Sequence, residues 1–351
     1  MYPVDVSETP APRPRPSEDA LGFGRHFTDH LLRADFTREE GFVGARVLPY
    51  GELSLDPATA ALHYGQSVFE GLKAFPRPGR GMSLFRPFDH AKRFAESARR
   101  LAMPPVDPDL LVAGFRELLT ADAGWMPSAP GTALYLRPLL FASEPFLGVR
   151  AARAYTLLVF LSPVGGYFGT DRPLRLWVER NRARAVAGGI GAAKASANYV
   201  AGLLSAEEAK SRGFDEVLWL DAATHRFLEE IGTMNVFVRL GDTLVTPPLK
   251  GTILAGVTRD SVMVLARERG VKVEERPISI EEIISAHRSG VLSEVFGTGT
   301  AALVAPVGEL VLEGTRLSLP PTRGLGALLR EELSAIQRGE RPDRYGWLWA
   351  V

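Results

Sequence analysis

A chain of 351 residues is too long for one ordinary hydrophobic core, so two domains are expected. Its 46% hydrophobic and 23% charged residues are those of a water-soluble globular protein, and 41 basic against 41 acidic residues leave no basic excess of the kind nucleic-acid binding needs. The absence of cysteine excludes disulfides, thiolate nucleophiles and zinc–thiolate sites, and it fits a reducing, cytoplasmic setting.

The N-terminus has no basic start followed by an apolar run, so it does not read as a secretory signal. Its repeated proline predicts a disordered or extended lead over 1–18. A small N-terminal α/β domain is expected over 19–162. It has strands over 67–75, 132–142 and 154–161, and a helix over 87–102 that places Phe88, Ala91, Ala95, Ala98 and Ala102 on one face. The Gly/Pro cluster that follows is the expected linker, 163–173. A larger C-terminal domain, 174–351, should contain strands over 174–179, 216–220, 235–240, 271–275 and 291–296. Its helices are expected over 198–211, 258–269 and 324–338. Both halves are therefore of mixed α/β type, and no internal repeat is present. His26 and His30 stand four apart, but no third ligand clusters with them, so a structural role is expected and no metal.

The segment from Arg184 to Tyr199 carries the strongest chemical signal. Between 185 and 206 the only charged residue is Lys194, and its neighbours are Ala, Gly and Ser. A membrane span is rejected, because a lysine at a helix centre costs about 2.5–3.5 kcal/mol and the Ala/Gly run is too weakly apolar to offset it. Burial among small residues favours the neutral amine. A neutral amine is the nucleophile that forms a Schiff base with an aldehyde, and small neighbours leave room for a bulky cofactor. A phosphate-binding loop needs glycine before the lysine and Ser or Thr after it, whereas Ala193 and Ala195 stand there. The dinucleotide pattern counted from Gly189 ends on Lys194 itself and also fails.

A Schiff-base lysine serving pyridoxal phosphate needs a carboxylate at the pyridine nitrogen. Glu229 and Glu230 are both candidates. Adjacent strand residues face opposite sides, so one at most can serve, and the residues do not say which. The run Gly256-Val257-Thr258 opens a predicted helix and offers amides to a phosphate, and Gly297-Thr-Gly-Thr300-Ala301 offers a second set.

These segments occur in a fixed order along nearly the whole chain. They begin with Phe23-Gly-x-x-Phe27 and Tyr64-Gly-Gln-Ser-Val-Phe69-Glu-Gly-Leu-Lys. Then come Phe85-Arg-Pro-x-x-His-x-x-Arg93, Tyr135-Leu-Arg137-Pro and Glu144-Pro-x-Leu147-Gly-Val149. The lysine segment, Glu230-Ile-Gly-Thr233-Met-Asn, Gly256-Val-Thr and Gly-Thr300-Ala301 complete the series. The set resembles the branched-chain amino-acid aminotransferases of the fold-type IV pyridoxal-phosphate class. That resemblance implies two α/β domains with the cofactor at the domain interface, and a homodimer or higher assembly.

It also implies residue roles. Lys194 would carry pyridoxal 5′-phosphate and move the substrate proton, Glu230 would pair with the ring nitrogen, and Tyr199 would bond the phenolate oxygen. Arg93, Val257, Thr258 and Thr300 would hold phosphate. Thr233 and Ala301 would receive the substrate α-carboxylate, with Thr233 also close to the cofactor. Phe23, Phe69 and Tyr135 would form an apolar wall, with Tyr64, Leu147 and Val149 reaching over from a partner subunit. Arg137 would receive the second carboxylate of glutamate. The implied partners are small molecules, namely branched-chain L-amino acids and 2-oxoglutarate, with no nucleic acid and no membrane. Ala302 and Ala305 occupy the places where some members carry a Cys-x-x-Cys redox pair, which removes that form of regulation. Two alternatives share part of the signal: a D-amino-acid aminotransferase or aminodeoxychorismate lyase of the same fold, and a non-catalytic metabolite-binding protein.

Overall fold

Two sheets organise the chain in a computed structural model that describes residues 2–351 apart from 78, 80, 166–171 and 320–323. Backbone contacts divide it into two units. One comprises Met1–Gly169, Ala193–Ala197 and Ile336–Val351; the other comprises Thr170–Ala192 and Asn198–Ala335. Most of the expected linker, 163–173, lies outside the described residues.

The first unit is built on a sheet in the order Asp5–Val6, Gly41–Pro49, His30–Thr37, Ala154–Val164, Ala133–Ala142, Leu72–Pro76, Met82–Phe85, Leu348–Ala350, with Ser67–Phe69 also pairing with Ala133–Ala142. All its pairings are antiparallel except that of Asp5–Val6. The strand expected over 67–75 is two strands, broken at Glu70-Gly71. A Cβ on Gly71 would overlap the Tyr135 hydroxyl, so only glycine fits there.

The helix Pro87–Arg100 starts with proline at its first turn, where the missing N–H costs nothing, and stops before Ala102, whose φ is 55°. Its buried stripe is Ala91, Phe94, Ala95 and Ala98 together with the polar residues His90, Arg93 and Ser97. Phe88, expected on the apolar face, is 44% exposed. A second helix, Pro108–Ala121, begins at Asp107, whose carboxylate accepts the Asp109 N–H at 2.8 Å.

The Pro-rich lead, expected to be disordered or extended, is extended and tied down. Asp5–Val6 pairs with Gly41–Pro49, the Thr9 N–H donates to His30 Nε2 at 2.9 Å, the Arg13 N–H donates to Asp29 at 2.7 Å, and Glu18 accepts the Ser128 and Ala129 amides. His30 is held in turn by Asp122 at 2.7 Å, the structural role expected of it.

The second unit has a sheet in the order Leu228–Ile231, Glu216–Leu220, Leu174–Glu179, Leu303–Leu312, Leu292–Gly299, Met234–Leu240, Thr243–Thr246, Lys272–Glu275. An added pairing of Leu228–Ile231 with Met234–Leu240 closes six of these strands on themselves. Such closure removes exposed strand edges. Phe237 and Phe296 stack at 5.2 Å between ring centroids within this core, and Trp219 packs with Val217 and Ala209. The helix Val257–Glu268 begins at Gly256, and Ile280–Arg288 is capped by Ser279, which accepts the Glu282 N–H at 3.1 Å. No helix among the described residues is long and apolar enough to cross a membrane.

Candidate active site

Lys194 belongs to the first unit and is held there by its main chain. Its N–H donates to Ser97 Oγ at 2.9 Å and its carbonyl accepts the Phe69 N–H at 3.0 Å. The next residue, Ala195, bridges to Val68, and Ser67 Oγ donates to Ser196 Oγ at 2.8 Å. Residues 194–196 thus run alongside Ser67–Phe69 like a further strand. The side chain is half-buried, and Nζ lies 5.0 Å from the centre of the Phe69 ring.

One wall of this region is the polar stripe of the helix Pro87–Arg100. Arg93 donates through Nε and Nη2 to the two oxygens of Glu70, at 2.8 and 2.6 Å, and His90 Nδ1 lies 3.3 Å from the same carboxylate. Burial opposes charge on Glu70, but the Arg93 guanidinium and His90 outweigh it and hold the carboxyl well below the usual range. Burial lowers His90, with the Arg93 and Lys194 charges adding to it against Glu70, so its neutral form is favoured. The resemblance assigned only Arg93 a role; Glu70, His90 and Ser97 complete the cluster. Polar residues at 90, 93 and 97 on an otherwise apolar helix face were the available signal.

Phe23, Tyr135, Arg137 and Phe69 lie close together in the same unit. Phe23 meets Tyr135 edge-on at 5.0 Å, the Arg137 guanidinium sits 4.7 Å from the Phe69 ring centre, and Arg137 Nη2 donates to the Tyr135 hydroxyl at 3.0 Å. Tyr64, Leu147 and Val149 are exposed, Val149 by 86%, and the Tyr64 hydroxyl donates to the Leu147 carbonyl.

The second unit buries both glutamates. Glu230 pairs through Oε2 with Arg184 Nη2 at 2.9 Å, and its Oε1 accepts from Asn235 Nδ2 and the Leu254 N–H, each at 3.2 Å. An opposite charge at this distance favours the ionised carboxylate. Glu229 points elsewhere and accepts the Thr252 hydroxyl at 2.6 Å. Burial pushes its carboxyl up, against the opposing pull of Thr252 and Arg184.

Asn235 also donates to the Leu254 carbonyl at 2.9 Å, and a Cβ on Gly256 would overlap its Oδ1. The start of the helix Val257–Glu268 is thereby seated close to Asn235. Val257 and Thr258 are buried in its first turn, the residue at its cap is a glycine with no side chain to occupy the amides, and a helix start of this kind receives anions. Thr233 is exposed just after the turn at Gly232, whose φ is 54°. Thr300 and Ala301 are half-buried at the end of Leu292–Gly299, and Thr298 Oγ1 nearby is buried with no hydrogen-bond partner among the described residues. Tyr199 is half-buried in the first turn of Ser196–Ser211, next to Asn198, whose Nδ2 donates to the Ile190 carbonyl at 2.9 Å. Arg184, Asn235 and Thr252 had no role in the sequence reading, although Arg184 is the first charged residue before Lys194. Among the described residues, no group of three or more metal-ligating side chains occurs.

Residues 67–310 match the family model described as amino-transferase class IV. The chain is 43% identical to branched-chain-amino-acid aminotransferase 2 of Bacillus subtilis (strain 168), covering 99% of this chain and 96% of that protein. It is 42% identical, with the same coverages, to a probable branched-chain-amino-acid aminotransferase of Streptomyces coelicolor. Among solved structures, the branched-chain aminotransferase of Thermoproteus uzoniensis with norvaline superposes with a TM-score of 0.76 at 25% identity, covering 91% of this chain and 99% of that one. A branched-chain amino acid aminotransferase of T.th., complexed with N-(5′-phosphopyridoxyl)-L-glutamate, gives 0.73 at 28% identity, covering 90% and 98%. An ordered set of motifs, a lysine clamped by its main chain and near-full-length likeness agree: the chain belongs to the class IV aminotransferases, in the branched-chain amino-acid group.

Proposed function

We propose that the protein moves the amino group between L-leucine, L-isoleucine or L-valine and 2-oxoglutarate, using pyridoxal 5′-phosphate carried on Lys194. The observation that carries this reading is the clamping of Lys194 between Ser97 and Phe69, in a unit that also gathers Phe23, Tyr135 and Arg137. The donor set fits the cofactor: an amine, a buried carboxylate paired with a guanidinium, a further buried arginine, and a helix start capped by glycine. When bound, the cofactor supplies an aldehyde for the amine and a protonated pyridine ring that draws electrons from the substrate Cα.

In this reading Lys194 Nζ takes the proton from the substrate Cα in one half-reaction and returns one in the other. Glu230 keeps the ring nitrogen protonated, and Tyr199 bonds the phenolate oxygen. Arg93, Val257, Thr258 and Thr300 hold the phosphate, and Thr233 and Ala301 receive the α-carboxylate. Phe23, Phe69 and Tyr135 exclude water from an aliphatic side chain, and such a wall separates substrates differing by a methylene by only about 1–3 kcal/mol. Arg137 offers a guanidinium fork to the second carboxylate of glutamate.

A homodimer is part of the proposal. Its support is the exposed Tyr64, Leu147 and Val149, and the exposed Val200, Leu203 and Leu204 on the helix Ser196–Ser211. The reaction is placed in the cytoplasm, a setting a chain without cysteine suits.

An absorbance spectrum of the purified protein tests the reading. L-Leucine should abolish the visible band and 2-oxoglutarate should restore it. A response to D-alanine or aminodeoxychorismate without one to L-leucine overturns it, as does a protein with no such band.

A further inference from the structure

We infer that Glu229 is a positioning residue for the Glu230 carboxylate and acts through the hydroxyl of Thr252. The inference rests on the proposed role of Glu230 at the ring nitrogen. Consecutive strand residues face opposite sides, so Glu229 cannot reach what Glu230 reaches. Their contacts nevertheless converge on one loop, 251–254. Glu229 Oε1 accepts the Thr252 hydroxyl at 2.6 Å, and Glu230 Oε1 accepts the Leu254 N–H at 3.2 Å. Arg184 Nη2 joins the two ends, donating to the Thr252 carbonyl at 2.6 Å and lying 2.9 Å from Glu230 Oε2. The same loop seats the residues that lead to Lys194. The Ala192 N–H donates to the Gly251 carbonyl at 3.1 Å, and a Cβ on Gly191 would overlap the Thr252 carbonyl.

A carboxylate buried to 7% exposure and hydrogen-bonded to a hydroxyl is an expensive way to fill a strand position that an apolar side chain would fill more cheaply. What the hydroxyl contact supplies is direction. It ties Thr252 to the strand that carries Glu229 and Glu230, and so holds in place the residue whose carbonyl receives the guanidinium that lies on Glu230. If Thr252 is released, Arg184 loses one of its two anchors and the Glu230 carboxylate is free to turn.

The test measures the affinity of the cofactor-stripped protein for pyridoxal phosphate, and the visible absorbance of the reloaded protein as a function of pH. The variants are Glu229→Ala, Thr252→Val, their double mutant, Glu229→Gln and Thr252→Ser. Glu229→Ala and Thr252→Val should each weaken cofactor affinity about tenfold, the scale of one buried contact, and shift the pH response of the band. The double mutant should be no worse than either single one, because both remove the same contact. Glu229→Gln and Thr252→Ser keep an acceptor and a donor and should stay within about twofold. Melting curves of the stripped proteins monitor folding, and should Glu229→Ala melt early, the Thr252→Val and Thr252→Ser pair decides. Unchanged affinity and spectrum in Thr252→Val, or additive losses in the double mutant, overturn the inference. Glu230→Gln is run alongside: if it too leaves affinity and spectrum unchanged, the failure lies in the proposed role of Glu230 itself.

Discussion

Around Lys194 the main chain does the holding, whereas around Glu230 the side chains do. Ser97 and Phe69 grip the lysine by its N–H and carbonyl, and its ammonium lies 5.0 Å from the centre of the Phe69 ring. Glu230 is gripped by its carboxylate oxygens, through Arg184, Asn235 and the Leu254 amide, in a strand whose position is set by two neighbours. The contrast suits the proposed chemistry. A group that moves a proton needs a fixed root so that its amine meets the reacting atoms, whereas a group that holds a charge in place needs fixed carboxylate oxygens.

Removing the amine should have the largest effect. Lys194→Ala should reduce turnover by at least about 10³-fold, the scale of positioned proton transfer, while the melting curve stays near that of the unaltered protein. Borohydride reduction followed by peptide mapping should place the cofactor on Lys194, and a label on another lysine would break the comparison at its root. Next comes the fixed carboxylate. Glu230→Gln leaves Arg184 facing a neutral amide and should lower kcat by roughly 100-fold, within the roughly 2–5 kcal/mol expected for one lost partner of a buried charge pair. Steady-state kinetics at saturating cofactor would check it, and a kcat within threefold would show that Glu230 is only structural.

Arg137→Leu tests whether the first unit also sorts substrates. Its guanidinium lies over Phe69 and on the Tyr135 hydroxyl, so leucine gains little from it. Glutamate brings a second carboxylate that must be paired once water is excluded. Single-turnover absorbance should show the glutamate half-reaction falling by roughly 2–5 kcal/mol in barrier terms and the leucine half-reaction falling far less. Equal losses would assign Arg137 a general structural role. Ser97→Ala is smaller still. It deprives the Lys194 N–H of its acceptor and should cost about 1–3 kcal/mol of stability, read from denaturant melts, with a rise in KM for cofactor-loaded enzyme well below tenfold.

The smallest predicted effect is a divergence in acid. His90 and Glu70 in the first unit are both shifted down, so the stability they contribute is present at neutral pH and is lost as pH falls, first below about 6.5 for His90 and later for Glu70. In the second unit Glu216 is pushed up to about 7 and Glu229 is also raised, both chiefly by burial. Raised carboxyls contribute stability that is present below the unfolded value of 4.5 and is lost as pH rises through the folded one. Hydrogen exchange at pH 5.5 and 7.5, corrected for intrinsic rates, should show Pro87–Arg100 loosening in acid while Glu216–Leu220 tightens. Glu216→Gln should abolish the second trend.

The residues by themselves pointed to Lys194, because one charge among some twenty uncharged neighbours, most of them Ala, Gly or Ser, is a local fact that needs no partner to be seen. They also determined the continuous strands Ala133–Ala142, Leu174–Glu179 and Glu216–Leu220, whose apolar runs hold in any topology. Tertiary structure decided the rest. The different contacts of Glu229 and Glu230 come from Thr252 and Arg184, which lie 22 and 46 residues from Glu230 along the chain. The strand Leu348–Ala350 belongs to the first sheet because it pairs with Met82–Phe85, and residues 193–197 belong to the first unit because Ser67–Phe69 binds them. The lead was expected to be disordered or extended, and proline composition does not reveal that Asp29, His30 and the Ser128 and Ala129 amides wait to receive it. Periodicity reports how buried a segment is on average. The partner that a buried polar group finds is set by strand order and loop path, which only the folded chain supplies.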